Sequence, residues 1–279
     1  MLFKNILLLL WGCTSGTHND WLVTLSEKER KDLSFNYAQR ASQTQQGTLL
    51  EQSLLDSAIL LDSANDRAWM EKASWAIKIG DYKKYTSLID KAVTLNPVAN
   101  LGYRARNKLY CLRDYKGALG DLDRLDSLTP GLIDYPWGEN IFHLRGLAHM
   151  QLGDTLRAVN DFTKCIETTI KKKGEKWVDI YSFVWSGKLF LDRRKIKESI
   201  KDFNTALKYS QNCPEAHYYK GLALLQLNGM KSKACKEFEM SIAAAEKGYI
   251  ATTIYRDIFN QLYISDIEEQ LKMNCGLSK

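Results

Sequence analysis

LRGLAHMQLGDTLRAVNDFTKCIE, residues 144–167, decides the fold. Phe142, Leu144, Leu147 and Leu152 recur at helical spacing, the pattern stops at Gly153-Asp154, and Val159, Phe162 and Ile166 resume it. Two helices joined by so short a turn lie antiparallel against each other. Gly146 stands inside the first of them, where glycine costs about 1 kcal/mol relative to alanine. Close packing offsets that cost. Gly146 withdraws its side chain at the crossing, Ala158 offers only a methyl from across, and Phe162 fills the wedge beyond it.

One such hairpin cannot bury its outer faces alone, so copies are expected, and they are present. Ala68-Trp69 opens a helix that runs to Gly80-Asp81-Tyr82, and Ile89, Ala92 and Leu95 mark its partner before Asn96-Pro97. Arg113-Asp114-Tyr115 takes the next turn, followed by Ala118, Leu122, Leu125 and Leu128 and closed by Thr129-Pro130. Gly187 begins a further copy with Ser199, Phe203 and Ala206 on its second helix. Pro214, Gly221, Ala234, Phe238 and Ser241 mark the last. A fainter copy precedes them all, with Phe35 on its first helix and Leu55, Ala58, Leu61 and Asp62 on its second.

These residues resemble the tetratricopeptide-repeat (TPR) family: a large residue, a small one four on, then alanine, aromatic and proline in a unit of about 34 residues. The resemblance covers residues 32–248 in six units, 32–65, 66–98, 99–132, 139–172, 180–213 and 214–248. It implies an all-α, right-handed α-solenoid of about six stacked helix-turn-helix repeats. Arg106 stands at the small position of the third unit and Tyr85 at the alanine of the second, so these two hairpins are expected to be splayed or shifted. The connections Gly131–Gly138 and Lys171–Asp179 exceed the family's usual length and are expected to kink the stack. Beyond 248, Ile254, Ile258, Leu262, Ile264 and Leu271 lie on an apolar stripe. Residues 249–279 are therefore read as a C-terminal capping helix and tail, which stacked repeats need for solubility.

The resemblance also implies a concave groove lined by the first helices. Its partner-binding positions would be Met70, Tyr103, Asn107, Tyr110, His143, Leu147, Met150, Lys188, Tyr218 and Leu222, with Ser74, Ile77, Val184 and Gln226 beside them. Tyrosine supplies contact area at low entropic cost and methionine adapts, so the set suits a peptide or protein partner. Tyr103, Tyr110 and Tyr218 lead, because a phenol tolerates water. The competing reading is that some of these side chains pack between neighbouring repeats. One branch of the family grips a C-terminal carboxylate with lysine, asparagine and arginine. Here only Asn107 matches and Tyr103 replaces the lysine, which excludes that mode.

The chain opens MLFKNILLLLWGC. Lys4, the apolar run Ile6–Leu10 and Gly12 have the layout of a secretory signal, 1–12, and the run is too short to span a bilayer. Leu10 to Cys13 resembles a bacterial lipobox, which implies lipidation of Cys13 and a tether over 13–31. The other readings are a plain cleaved signal and a buried N-terminal element. Thr14, rather than aspartate, after the cysteine favours the outer membrane over the inner. The expected place is thus the bacterial cell envelope, as a periplasmic or surface lipoprotein. The lipobox, with Ala234-Cys235-Lys236-Glu237-Phe238, resembles envelope repeat lipoproteins of Bacteroidetes.

The formal net charge of +6 is spread along the chain, and Lys171–Lys173 and Arg193–Lys195 fall near helix ends, where cations suit the dipole. Nucleic acid is not an expected partner. The cysteines after Cys13, namely Cys111, Cys165, Cys213, Cys235 and Cys275, form no CxxC pair. Cys165 and Cys235 sit on apolar helix faces, so buried free thiols are favoured over one disulfide or a metal site. His18 falls in the tether, and His143 and His149 are six apart on different helix faces. HExxH, GxSxG and a phosphate-cradling loop are missing from the sequence. Asp121 and Asp123 flank Leu122 and read as solvated surface. The sequence therefore favours a non-enzymatic, membrane-anchored interaction scaffold without cofactors. A structural envelope subunit bound through its convex face or ends is the alternative, and an enzyme or carbohydrate binder built on repeats is a third. Oligomeric state is not legible.

Overall fold

The computed structural model describes residues 24–250 and 259–276. The signal, Cys13, His18, Ile254 and Ile258 lie outside them. Among the described residues the secondary structure is helical throughout, with thirteen α-helices and two 3-10 turns, in an α-solenoid architecture of sequential hairpins. The chain divides into two compact units, Met1–Asn100 and Leu101–Lys279.

The first unit contains hairpin one, α1 (Glu27–Ala41) with α2 (Leu49–Leu61), and hairpin two, α3 (Asp66–Lys78) with α4 (Tyr82–Leu95). Helix α1 begins inside the stretch read as tether, because Ser26 and Glu29 form a reciprocal capping box at its start. Its buried side is small, Ser34, Ala38 and Ala41, and the Ser34 hydroxyl donates to the Ala58 carbonyl at 2.7 Å. Phe35, which marks the first helix of this copy in the sequence, is 55% exposed, while Leu55, Ala58 and Leu61 on the second are buried. In hairpin two the turn needs a left-handed residue. Gly80 takes φ 77° there, and Asp81 then accepts from the Lys84 amide at 3.1 Å to cap α4. Tyr85 does not splay this hairpin. It is fully buried, and α3 makes room by presenting Ala68, Ala73 and Ala76 to the core.

The second unit takes α5 (Pro97–Tyr110) from Leu101 on and pairs it with α6 (Tyr115–Leu128). Here Arg106 leaves the seam altogether, bonding Glu139 from Nε at 2.9 Å and lying 5.2 Å from the Tyr110 ring centroid. Bare backbone comes instead from Gly102, where an added Cβ would lie 2.9 Å from Pro136 in the long connection. That connection and its counterpart each close on a 3-10 turn, Pro136–Gly138 and Glu175–Trp177.

Three hairpins then repeat one device: α7 (Ile141–Gln151) with α8 (Thr155–Lys173), α9 (Ile180–Asp192) with α10 (Ile196–Tyr209), and α11 (Pro214–Leu225) with α12 (Lys231–Glu246). An added Cβ on Gly146, Gly187 or Gly221 would stand 2.9, 2.7 or 2.5 Å from the ring of Phe162, Phe203 or Phe238, each fully buried. The ring therefore sits at the crossing itself, not beyond it. Ala158 is buried but is not what Gly146 faces.

The closing helix is shorter than the apolar stripe suggests. Residues 259–263 are not helical, and α13 runs Ile264–Cys275. Ile267 and Leu271 join Leu262, Leu224, Phe238 and Ile242 in one apolar cluster. Cys235 is not a free apolar thiol: it forms a disulfide with Cys275, 40 residues on, which fastens α13 to α12. Cys165 and Cys213 are free and buried, and burial pushes their thiols up to about 11 and about 12.

Candidate functional site

The acid before each core side chain on the second helices of this unit builds the polar part of the seam. Asp121, read from sequence as solvated, is buried beside Leu122. Arg104 grips it with two bonds of 2.8 and 2.6 Å, and Lys108 pairs with it at 2.9 Å. Asp123 does lie outside, paired with Arg145 at 3.1 Å. Asp161 beside Phe162 faces Arg145 and His149 at 3.7 and 3.6 Å. Glu237 beside Phe238 takes His217 at 2.6 Å and Lys220 at 2.7 Å; burial opposes its charge, but these bonds hold its carboxyl below the usual range. An acid directly before the core side chain of the second helix, with cations on the preceding helix, was available in the sequence as a signal for these three hairpins.

Asp202 beside Phe203 differs. Its hydrogen bond comes from Ser186, where its counterparts take cations, and burial pushes its carboxyl up to about 6. A folded-state value above the unfolded one means that folding favours the protonated form. Stability from this group is therefore full near pH 4 and is lost as pH rises through about 6. Asp202→Asn is expected to stabilise the protein by about 1–2 kcal/mol at pH 7.5, after allowance for partial exposure, and to flatten the pH 4–7 slope. Urea melts at the two ends of that range check it, and an unchanged slope would count against it.

The partner-binding positions fall into two groups. Five are buried. Tyr103 lies under Trp137 at 5.0 Å between centroids; Asn107 donates to the Tyr103 carbonyl at 3.1 Å; His143 Nδ1 lies 2.8 Å from the Ser182 hydroxyl; Leu147 is in the core; and Tyr110 is covered. The others, Met70, Met150, Lys188, Tyr218 and Leu222, are half-buried. Lys188 bonds Asp192 at 2.8 Å. Met70 stands in the first unit.

What covers Tyr110 is polypeptide. The Phe259 ring stacks on it at 5.5 Å and 16°, and meets Tyr115 edge-on at 6.1 Å and 73°. The next residue, Asn260, donates from Nδ2 to the Met150 sulfur at 3.6 Å. Leu262 sinks into the cluster against which Tyr218 and Leu222 also pack. Burial, with Asp266 and Glu269 nearby, raises the Tyr218 phenol. Side chains from three first helices, α5, α7 and α11, are thus brought together around the C-terminal segment. The Tyr110 ring is fixed from behind, its hydroxyl donating to Glu139 Oε1 at 3.2 Å while Arg106 holds Glu139. Sequence reading missed Tyr115, Phe259 and Asn260.

Among the described residues no helix is long and apolar enough to cross a membrane, and no group of three or more His, Cys, Asp or Glu is placed to hold a metal ion.

The Tetratricopeptide repeat family profile matches residues 140–169, which is hairpin four. Among solved structures the chain is similar to YrrB, described as a TPR protein with an unusual peptide-binding site, with a TM-score of 0.53, 14% identity, and 69% of this chain and 92% of that one covered. It is also similar to a chain of the APC/C hetero-tetramer Cut9–Hcn1, with a TM-score of 0.56, 15% identity, and 90% and 44% covered, so it spans under half of that chain. PilF of Pseudomonas aeruginosa gives 0.54, 13% identity, and 79% and 89%. At such identities the likeness is one of fold: the chain has a tetratricopeptide-like helical-repeat architecture. Among curated proteins, none matches the sequence.

Proposed function

We propose that the protein is a membrane-anchored adaptor that holds a peptide segment of a partner protein against the first helices of its repeats. The observation that carries this reading is the seating of Phe259 and Asn260, a non-helical stretch, on Tyr110, Tyr115 and Met150. Tyr110 and Met150 on first helices, with Tyr115 at the start of α6, accept a non-helical segment with an aromatic anchor, as peptide-recognition surfaces do. The peptide-binding site described for YrrB, a protein of similar fold, supports it further. The Cys235–Cys275 disulfide fits an oxidising compartment beyond the inner membrane, and with the lipobox it supports an envelope protein anchored through Cys13.

A photo-crosslinking residue placed at Met150 or Tyr218 in intact cells is expected to capture one recurrent protein by mass spectrometry, while the same residue at exposed Lys201 does not. Capture from Lys201 alone would instead favour a structural subunit bound through another face. For the anchor, Cys13→Ser is expected to abolish lipid labelling and release the protein from membranes. Unchanged fractionation, with no label on the natural chain, counts against the lipid.

A further inference from the structure

We infer that the segment Phe259–Leu262 is a built-in stand-in for the partner, so that the binding surface of the second unit is self-occupied and takes peptides presenting an aromatic residue, an amide beside it, and a branched aliphatic three residues after the aromatic. This rests on the adaptor reading and adds to it the chemistry of the ligand and its competition with the chain's own segment.

The segment shows what each position wants. The aromatic position is a corner of two tyrosines, one parallel to the Phe259 ring and one edge-on, which is how π quadrupoles pair favourably. An aliphatic side chain there would lose both contacts. The amide position faces a thioether sulfur, a weak and soft acceptor, so Asn260 is held loosely at 3.6 Å. Asn260 takes φ 50°, a left-handed conformation asparagine tolerates, and this swings the chain from the tyrosine corner towards the apolar cluster that receives Leu262.

The Phe259 ring is also not what keeps the C-terminal helix in place. Helix α13 is fastened independently by the Cys235–Cys275 disulfide and by Ile267 and Leu271 in the cluster. Release of Phe259 therefore leaves the cap closed, and exchange for another peptide does not require unfolding. An intramolecular segment competes at an effective concentration in the mM range. An added peptide then sees only the fraction of molecules whose segment is off, and its apparent affinity falls by that fraction.

The test uses the full chain and a fluorescent peptide of residues 259–266, Phe-Asn-Gln-Leu-Tyr-Ile-Ser-Asp. Phe259→Ala protein is expected to bind it at least ~10-fold more tightly than the natural chain does. Binding is expected to be lost when the peptide's own phenylalanine is alanine, or when Tyr110→Ala is added to the protein. Equal affinity of the natural and Phe259→Ala chains, or no binding by the variant, overturns the inference. Should Phe259→Ala fail to fold by circular dichroism, the natural chain carrying fluorinated Phe259 is titrated with the peptide to ~1 mM. Saturable movement of that resonance to a solvent-exposed position supports the inference, and an unmoved one overturns it. Recurrent capture of a partner from Met150 together with failure here would leave the adaptor reading standing and remove only the self-occupied site.

Discussion

Phe162→Ala is expected to destabilise the second unit by about 3–5 kcal/mol, read from denaturant melts. The ring is fully buried, lies on the bare backbone of Gly146, and meets His143 edge-on at 5.7 Å. Truncation leaves a void beside a residue with no side chain to move into it, which places the cost near the top of the range for large-to-small changes. The same geometry makes a second, sharper statement. Gly146→Ala alone is expected to destabilise, because its methyl would sit 2.9 Å from a ring with nowhere to go. In the Phe162→Ala background that methyl enters the void, so the penalty should shrink or reverse. A double-mutant cycle showing simple additivity would mean that the ring and the glycine do not share one space.

Removing the Cys235–Cys275 disulfide is expected to cost about 4 kcal/mol, the loop-closure entropy regained by an unfolded chain no longer tied across some 40 residues. The comparison is between the oxidised protein and the Cys235→Ser, Cys275→Ser double variant, melted in denaturant at neutral pH. Hydrogen exchange should localise the first effect to α13, whose hold on α12 then rests on Ile267 and Leu271 alone. A loss under 1 kcal/mol would show that the apolar cluster by itself suffices, and would weaken the argument that Phe259 can let go while the cap stays shut.

Much of the fold is legible because its causes are local. Gly153-Asp154 announces a turn because a left-handed residue followed by a capping aspartate is a short-range requirement. Gly80-Asp81 does the same, with Asp154 accepting from the Arg157 amide at 3.1 Å just as Asp81 does from Lys84. The residues that looked irregular were misjudged for the opposite reason. Whether Tyr85 splays a hairpin depends on what the facing helix leaves open, and whether Arg106 sits in a seam depends on Glu139, which lies in another repeat. Asp121 looked solvated because the cations that bury it, Arg104 and Lys108, stand on the preceding helix and not beside it in the chain.

The candidate site was half legible. Tyr110, Met150, Tyr218 and Leu222 were placed on first helices by the resemblance to the repeat family, and those helices bring them to the C-terminal segment. Tyr103 and Tyr110 were favoured as water-tolerant contacts, and both are covered, one by Trp137 and one by Phe259. By itself the sequence determined that helices form and where the hairpins turn, because apolar period, glycine and capping residues act within a few positions of one another. The tertiary structure alone decided which first-helix side chains are covered, which cysteines join and what lies on Tyr110. Those outcomes depend on segments tens to more than a hundred residues apart meeting in space, and no periodicity in the chain encodes which distant segment arrives.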